Sequence, residues 1–513
     1  MKKTIVLSAL LPIILMANHN INNKNLNLSQ PKQVKVSKNI SQNKPITRKQ
    51  LIYKINHGQD VTNVNTSKIT DMHGLFKRKR NFNQDISNWD VSNVTNMSEM
   101  FAYATKFNQP IGNWDVSKVT DMSGMFDYAK TFNQPLNNWN VSSVINMNKL
   151  FNRATSFNQP LNNWDVSNVG KMGKMFRWAF SFNQPLGNWD VSNITDMSEM
   201  FVWSKFNQPL NSWDVSNVTT MKRMFSTLKN FNQPLNNWNV SKVTDMSGMF
   251  KSSRKFNQPL NSWNVSNVTD MREMFDHTIS FNQPLNSWDV SNVTNMRIMF
   301  NHAESFNQPL NSWNVSNVTN MVSMFGFTPF NQPLDNWDVS KVNRMSLMFR
   351  YAKDFNQPLN SWNVSNVTST NGMFHYARHF NQPLDRWDVS KVKGMAGMFE
   401  DANNFNQPLE KWNVSNVTHM YQMFRGAEKF NQPLNSWDVS NVKVMWMMFR
   451  EAESFNQPLD NWNVSNIRST WKMFLGAKAF NQNISNWDVS NVTNHVGTFE
   501  KCPIRENYKP RFR

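Results

Sequence analysis

One 25-residue unit, repeated about seventeen times without interruption, dictates what this chain can fold into. Phe82 to Lys106 reads F-N-Q-D-I-S-N-W-D-V-S-N-V-T-N-M-S-E-M-F-A-Y-A-T-K, and the pattern runs to the unit that begins at Phe480. With each unit numbered from its leading Phe, slot 8 holds a tryptophan from Trp89 to Trp487. The period is 25 except in two units of 24, and both deletions fall just before the next Phe, at Lys205–Phe206 and Pro329–Phe330. Loops absorb deletions, so the unit boundary is a turn. A unit this short cannot bury its own apolar side, whereas stacked units share a continuous core.

The apolar slots are 1, 5, 8, 10, 13, 16, 19, 20 and 23. Trp-x-Val at slots 8 and 10 has period two, which suits a short strand with both side chains inward. Met-x-x-Met-Phe-x-x-Ala has period three to four, which suits a short helix or 3-10 turn. The expected fold is therefore an α/β repeat solenoid, with one short parallel β-strand and one short helix or 3-10 turn per unit. At a strand spacing of ~4.8 Å, seventeen rungs make a rod or arc roughly 80 Å long. Asn and Gln recur in slots 2 and 3, where stacked amides can satisfy backbone groups at the corner.

The flanks differ from the body. Residues 1–17 read as a signal peptide, with Lys2 and Lys3 before an apolar run from Thr4 to Ala17 that is too short to span a bilayer. Residues 18–46 read as a disordered basic linker. Residues 47–81 read as a cap, with a capping box at Thr47-Arg48-Lys49-Gln50, a helix stopped by Gly58, and a degenerate first repeat. Residues 82–499 form the tandem solenoid, and 500–513 a C-terminal cap remnant and basic tail. No second hydrophobic segment follows the leader. Cys502 is the only cysteine, so packing alone must stabilise the fold; it stands in small-residue slot 23, which implies a packing role.

The formal net charge of +19 suggests a nucleic-acid protein until it is located. Residues 18–81 carry thirteen Lys/Arg against Asp60 and Asp71, and Lys501–Arg513 carries five against Glu506. The body at 82–500 sums to only about +2. Specific nucleic-acid binding is therefore not expected, and the basic flanks point to reversible contact with an anionic envelope polymer.

The ladder L-x-x-W-x-V-x-x-V-x-x-M-x-x-M-F-x-x-A, as in Leu136 to Ala154 with Leu150 in the second Met slot, resembles the BspA-like leucine-rich-repeat bacterial surface proteins. It is most similar to the branch with W-D-V-S-N-V-T-N-M units, as in mycoplasma surface lipoproteins. The resemblance covers about 47–502 and implies a leucine-rich-repeat-like solenoid with a role in surface attachment or partner binding. It implies no catalytic residues. Relatives are often lipoproteins, and this chain departs from them in having no cysteine after its apolar leader.

No catalytic constellation is legible, and no metal or cofactor is expected. His375 and His379 give H-x-x-x-H, but Tyr376 stands where a zinc hydrolase carries Glu. His277 and His302 share one slot on adjacent rungs and are expected to be solvated surface. Slot 9 points away from the core and alternates strictly from Asn264 through Asp289, Asn314 and Asp338 to Asp488, which relieves like-charge repulsion between rungs. Slots 17, 18, 21, 22, 24 and 25 vary. Slot 22 carries rings beyond what the core needs: Tyr103, Tyr128, Trp178, Trp203, His277, His302, Phe327, Tyr351 and Tyr376. Rows of exposed rings mark interaction surfaces, so these nine are the candidate ligand-contact row. The expected function is a secreted or cell-surface scaffold, not an enzyme, that binds a host or neighbouring-cell protein or glycan. The alternatives are a structural surface-layer protein and a parallel β-helix polysaccharide-processing enzyme; the latter needs unique residues converging on one rung.

Overall fold

The computed structural model describes residues 43–512; the expected leader at 1–17 and most of the expected linker at 18–46 lie outside them. The chain is a right-through stack of rungs, each one repeat long, sharing a single core from Leu51 to Ile504. Helix α1 (Arg48–Asn56) opens it, and a one-turn 3-10 helix at Glu506–Tyr508 lies near its end. Thr47 and Gln50 exchange side-chain and backbone hydrogen bonds as a capping box, and Leu51 and Ile55 bury against the first rung.

Each rung is built of tight turns, and this differs from the expected strand-plus-helix unit. Among the described residues no unit contains a strand or a helix. In the first full unit the amides of Trp89, Val94, Met100, Ala102 and Ala104 each donate to the carbonyl three residues earlier, and the same bonds recur around the stack. Glu99 and Tyr103, in slots 18 and 22, take left-handed φ values of 55° and 62° as the third residues of two such turns. Consecutive i→i+3 turns place slots 16, 19, 20 and 23 inward much as a helix does. Burial periodicity therefore could not separate the two.

Backbone-to-backbone hydrogen bonds between rungs are concentrated on one side. Amides in slots 16, 18, 20 and 22 donate to carbonyls of the next rung, as in Met97 to Asp121, Glu99 to Ser123, Phe101 to Met125 and Tyr103 to Asp127, at 2.7–2.9 Å. Slot 15 makes isolated parallel bridges from rung to rung, from Asp71–Asn96 to His419–Val444 and again at Ser469–Asn494. The Trp-x-Val segment was expected to supply this pairing, and it does not. Equivalent tryptophans are nearly parallel, at 0–4°, with centroids 6.4–6.5 Å apart. That spacing is too wide for backbone hydrogen bonds between strands, which need about 4.8 Å.

Parallel, equivalent rings report the rung spacing at their own depth. It falls from 6.4 Å at the tryptophans to 5.5–5.8 Å at the slot-20 phenylalanines Phe126, Phe151 and Phe176, and to 4.4 Å between Tyr351 and Tyr376 in slot 22. The stack is therefore curved, with the tryptophans on the convex side and the hydrogen-bonded ladder on the concave side. The uniform ~4.8 Å rise expected from strand stacking does not hold.

Polar ladders close the corners. The Asn side chain in slot 2 accepts the next rung's slot-2 amide, as in Asn108 to Asn83 at 2.9 Å, and Gln134 donates from slot 3 to the Asn108 carbonyl at 3.0 Å. Each buried tryptophan donates its indole N–H to the slot-5 carbonyl of the previous rung, as in Trp164 to Leu136 at 2.9 Å. Slot 9 is exposed, and its Oδ1 accepts the slot-11 amide at 3.0 Å from Asp289 and 3.1 Å from Asn264. Either residue closes that turn, and at Asp289 the Ser291 hydroxyl and amide hold the carboxyl below its usual value. At the far end Ile504 is buried, Tyr508 and Phe512 pack on the core, and the Tyr508 carbonyl accepts the Ile484 amide. Cys502 is half-buried there, with its thiol pushed up by burial.

Candidate functional site

The nine candidate rings all fall on the concave, hydrogen-bonded side, because slot 22 is the third residue of the last turn before the unit boundary. Every one has a left-handed backbone, with φ between 55° at His302 and 62° at Tyr103 and Tyr128. Bulky side chains avoid that conformation, at roughly 1–2 kcal/mol each. Gly426 and Gly476 occupy the same slot on later rungs with φ of 66° and 71°, so the fold accepts glycine there. Arg153, Thr227, Ser252, Asp401, Glu451 and Lys501 share the slot and its left-handed backbone, so the conformation belongs to the slot, and what sets the nine apart is that their rings are surplus to the core.

The structure gathers the rings into two columns. Tyr103 and Tyr128 stack at 5.0 Å, the Arg153 guanidinium lies between Tyr128 and Trp178 at 5.6 and 5.3 Å, and Trp178 reaches Trp203 at 5.7 Å. Thr227 and Ser252 then interrupt slot 22. The second column runs His277–His302–Phe327–Tyr351–Tyr376 with centroids 4.0–4.5 Å apart. Trp203 is exposed, and the other eight are partly covered. Both single-residue deletions follow a slot-22 ring by two residues, after Trp203 and after Phe327. The second opens a hollow of about 320 Å³ beside His302, Phe327 and Tyr351.

Reading slot 22 alone missed a third set of rings. Tyr421 and Trp446 stack at 4.6 Å and Trp471 follows at 6.0 Å, all in slot 17 on the same concave side. The signal was available, because slot 17 is also variable and its rings are also surplus to the core.

Charged groups fill the spaces between rings. Asp276 lies 2.7 Å from His277 Nδ1 and 3.1 Å from Lys251 Nζ. Glu273 is pushed up by burial, but Lys251, Arg223 and Arg297 more than offset this and hold it low. Burial, and next the neighbouring His277, lower His302. The stacked imidazoles of His277 and His302 have in-plane lone pairs that run side by side, so the pair does not converge on a shared cation.

His375 and His379, paired in sequence, take different partners: His375 faces Glu400 at 3.6 Å and His379 faces Asp354 at 3.5 Å. Nor do they share a helix, because that stretch is turns. His375, Glu400 and Asp401 bring potential ligand atoms within 4.8 Å of one another. Arg425 already pairs with Glu400 at 2.5 Å, and Gln422 donates to the same oxygen at 2.8 Å. Burial, followed by Arg350 and Arg425, pushes His375 down to about 4. A metal ion would have to displace Arg425 and overcome two guanidinium charges, so this cluster is better suited to holding three rungs in register.

A family model described as Mycoplasma protein of unknown function, DUF285, matches residues 47–161, 113–203, 135–238, 185–269, 221–329, 312–412 and 395–509. No curated protein matches the sequence. Among solved structures, the crystal structure of a TLR13–ssRNA13 complex aligns over 89% of this chain and 75% of that one, at 10% identity and a TM-score of 0.18. That score is too low to equate the two folds. No helix among the described residues is long and apolar enough to cross a membrane.

Proposed function

On the premise that the chain belongs to the repeat family described as Mycoplasma protein of unknown function, DUF285, we propose that it is a non-catalytic binding scaffold whose concave face engages a macromolecule at a cell surface. One observation carries this reading: nine rings surplus to the core recur in one slot of the concave face and stack there from rung to rung. Curved solenoids characteristically use such extended concave faces for binding. The resemblance of the W-x-V-x-x-V-x-x-M ladder to BspA-like surface proteins, and the leader-like residues 1–17, favour an exported adhesion protein. Partners of the protein or glycan class suit half-covered rings interleaved with ion pairs. Retention at the surface is assigned to contact of the basic flanks with an anionic envelope polymer, and washing cells at rising NaCl tests it, with release at moderate salt expected.

The binding test is a glycan and matrix-protein array probed with the purified chain. Saturable binding to one class is expected, weakened at least about ten-fold by Phe327→Ala with Tyr351→Ala while unfolding stays cooperative and the loss of stability stays within about 1–3 kcal/mol of lost stacking. Absence of saturable binding, or equal binding by the variant, would favour a structural surface layer instead.

A further inference from the structure

Along the sequence the charges of the repeat body nearly cancel, but on the folded surface they do not. Units 132–156 and 157–181 carry Lys149, Arg153, Lys171, Lys174 and Arg177 on the concave side. Their one carboxylate, Asp165, stands in slot 9 on the opposite, convex side. Lys130 extends the strip from the preceding rung, with its ammonium 4.8 Å from the Tyr128 ring. On the flanking rungs Glu199 meets Lys174 and Arg177 at 3.6 and 3.1 Å, Asp127 acts on Lys149 and Arg153, and Asp196 stands opposite Lys171 in slot 15, so the strip is net positive but not free of carboxylates. Lys130, Lys149 and Lys171 are exposed.

Apolar exposure concentrates in the same place. Five large apolar side chains are exposed among the described residues, and Ile145, Phe180 and Trp203 are three of them. Phe180 and Trp203 are each 41% exposed. The rings here are tilted, with Trp178 at 56° to Phe180 and 31° to Trp203, whereas Phe327, Tyr351 and Tyr376 lie within 9° of parallel. Parallel stacking seals ring faces, and tilting leaves them open. Beyond Trp203 the slot holds Thr227, so no ring covers its far side.

We propose that this strip binds single-stranded nucleic acid without sequence preference. Cations on successive rungs track a phosphate backbone, while open aromatic faces beside them take unpaired bases by stacking. A duplex keeps its base faces to itself and could use only the cations. A sulfated glycan would also meet the lysines but presents C–H faces rather than a planar π-face to Phe180 and Trp203, and an acidic peptide stacks there only where it carries rings of its own. Charge complementarity together with exposed, unstacked rings therefore favours the single strand.

The test is fluorescence anisotropy of a labelled oligothymidylate titrated with the full chain at several NaCl concentrations. If four or five cations contact phosphates, log Kobs falls with log salt at a slope of about −3. Lys149→Gln with Lys171→Gln should shallow that slope by about 1.4. Phe180→Ala with Trp203→Ala should weaken binding at least about ten-fold with little change in slope. Tyr53→Ala, on helix α1 outside the strip, should leave the affinity unchanged, and all variants should keep the parent's cooperative unfolding because the replaced side chains are exposed. An unchanged affinity in the ring variant, or a heparin affinity equal to that for the oligonucleotide and insensitive to the ring variant, would overturn the proposal in favour of a general polyanion surface. Absence of salt-dependent binding by the parent chain would overturn it outright.

Discussion

Replacing Trp263 by Ala probes the part of the fold that carries most of its packing. The side chain is only 3% exposed, stacks between Trp238 and Trp288 at 6.5 and 6.4 Å, and meets Phe250 at 6.3 Å. Truncating a buried tryptophan costs about 3–5 kcal/mol in lost burial and residual cavity. The lost hydrogen bond adds little, because the Leu235 carbonyl that accepts the indole at 3.0 Å also accepts the Trp238 amide at 3.1 Å. About 1 kcal/mol is its share. Trp263→Phe keeps an aromatic layer but loses the donor and part of the ring, so it should cost about 1–3 kcal/mol. Urea unfolding followed by tryptophan fluorescence and by circular dichroism reads both variants. Coincident transitions are needed, because long repeat arrays can lose two-state behaviour. A loss below ~0.5 kcal/mol for Trp263→Ala would refute the inside–outside assignment and the convex placement of the tryptophans with it.

Three other outcomes follow from particular residues. Ser252 sits in slot 22 at φ 58°, so Ser252→Gly should stabilise the chain by about 1 kcal/mol in urea unfolding, and destabilisation would show that its left-handed backbone carries no strain. His375, at about 4 in the fold against an ordinary 6.5, is kept neutral, so its contribution is intact above about pH 6.5 and is lost as pH falls towards 4. Between pH 7 and pH 5 this amounts to about 1–2 kcal/mol once its partial exposure is allowed for; His375→Gln should abolish that slope, while the raised carboxyls of Glu400 and Asp401 act with the opposite sign at lower pH. Asn108→Ala removes the oxygen that accepts the Asn133 amide and one contact of Gln134, and should cost about 1–2 kcal/mol; no loss would mean that water replaces the corner ladder freely.

The repeat made the stacked core legible before any coordinates. Slots 8 and 10 point inward, slot 9 outward, and the Asn and Gln ladders sit at the corner, because identity between units reports a shared environment. What the sequence concealed was backbone conformation. Met97, Met100, Phe101 and Ala104 are buried at helical spacing, yet Glu99 and Tyr103 between them are left-handed. Nothing in Glu or Tyr announces a positive φ, and Gly124 and Gly426 do so only on isolated rungs. The pairing side was likewise misplaced, since Trp-x-Val has strand-like spacing but equivalent tryptophans on adjacent rungs stand 6.4 Å apart. The slot-22 rings were found by being surplus. Their division into an open, basic set and a closed, mixed-charge set depends on tilt and on which carboxylates face them, neither of which is linear in the sequence.

The most direct test of the concave face as a binding surface needs no ligand. It is the unfolding free energy of the double variant Tyr351→Gly with Tyr376→Gly, measured against the parent. Each replacement relieves about 1 kcal/mol of left-handed strain and forfeits about 0.5–1.5 kcal/mol of ring stacking. If the rings are held for a partner, the double variant should unfold within about 1–2 kcal/mol of the parent, with the same dependence on urea. A loss of more than about 3 kcal/mol per site, as for truncation of a core ring, would contradict it and return slot 22 to the packing of the fold.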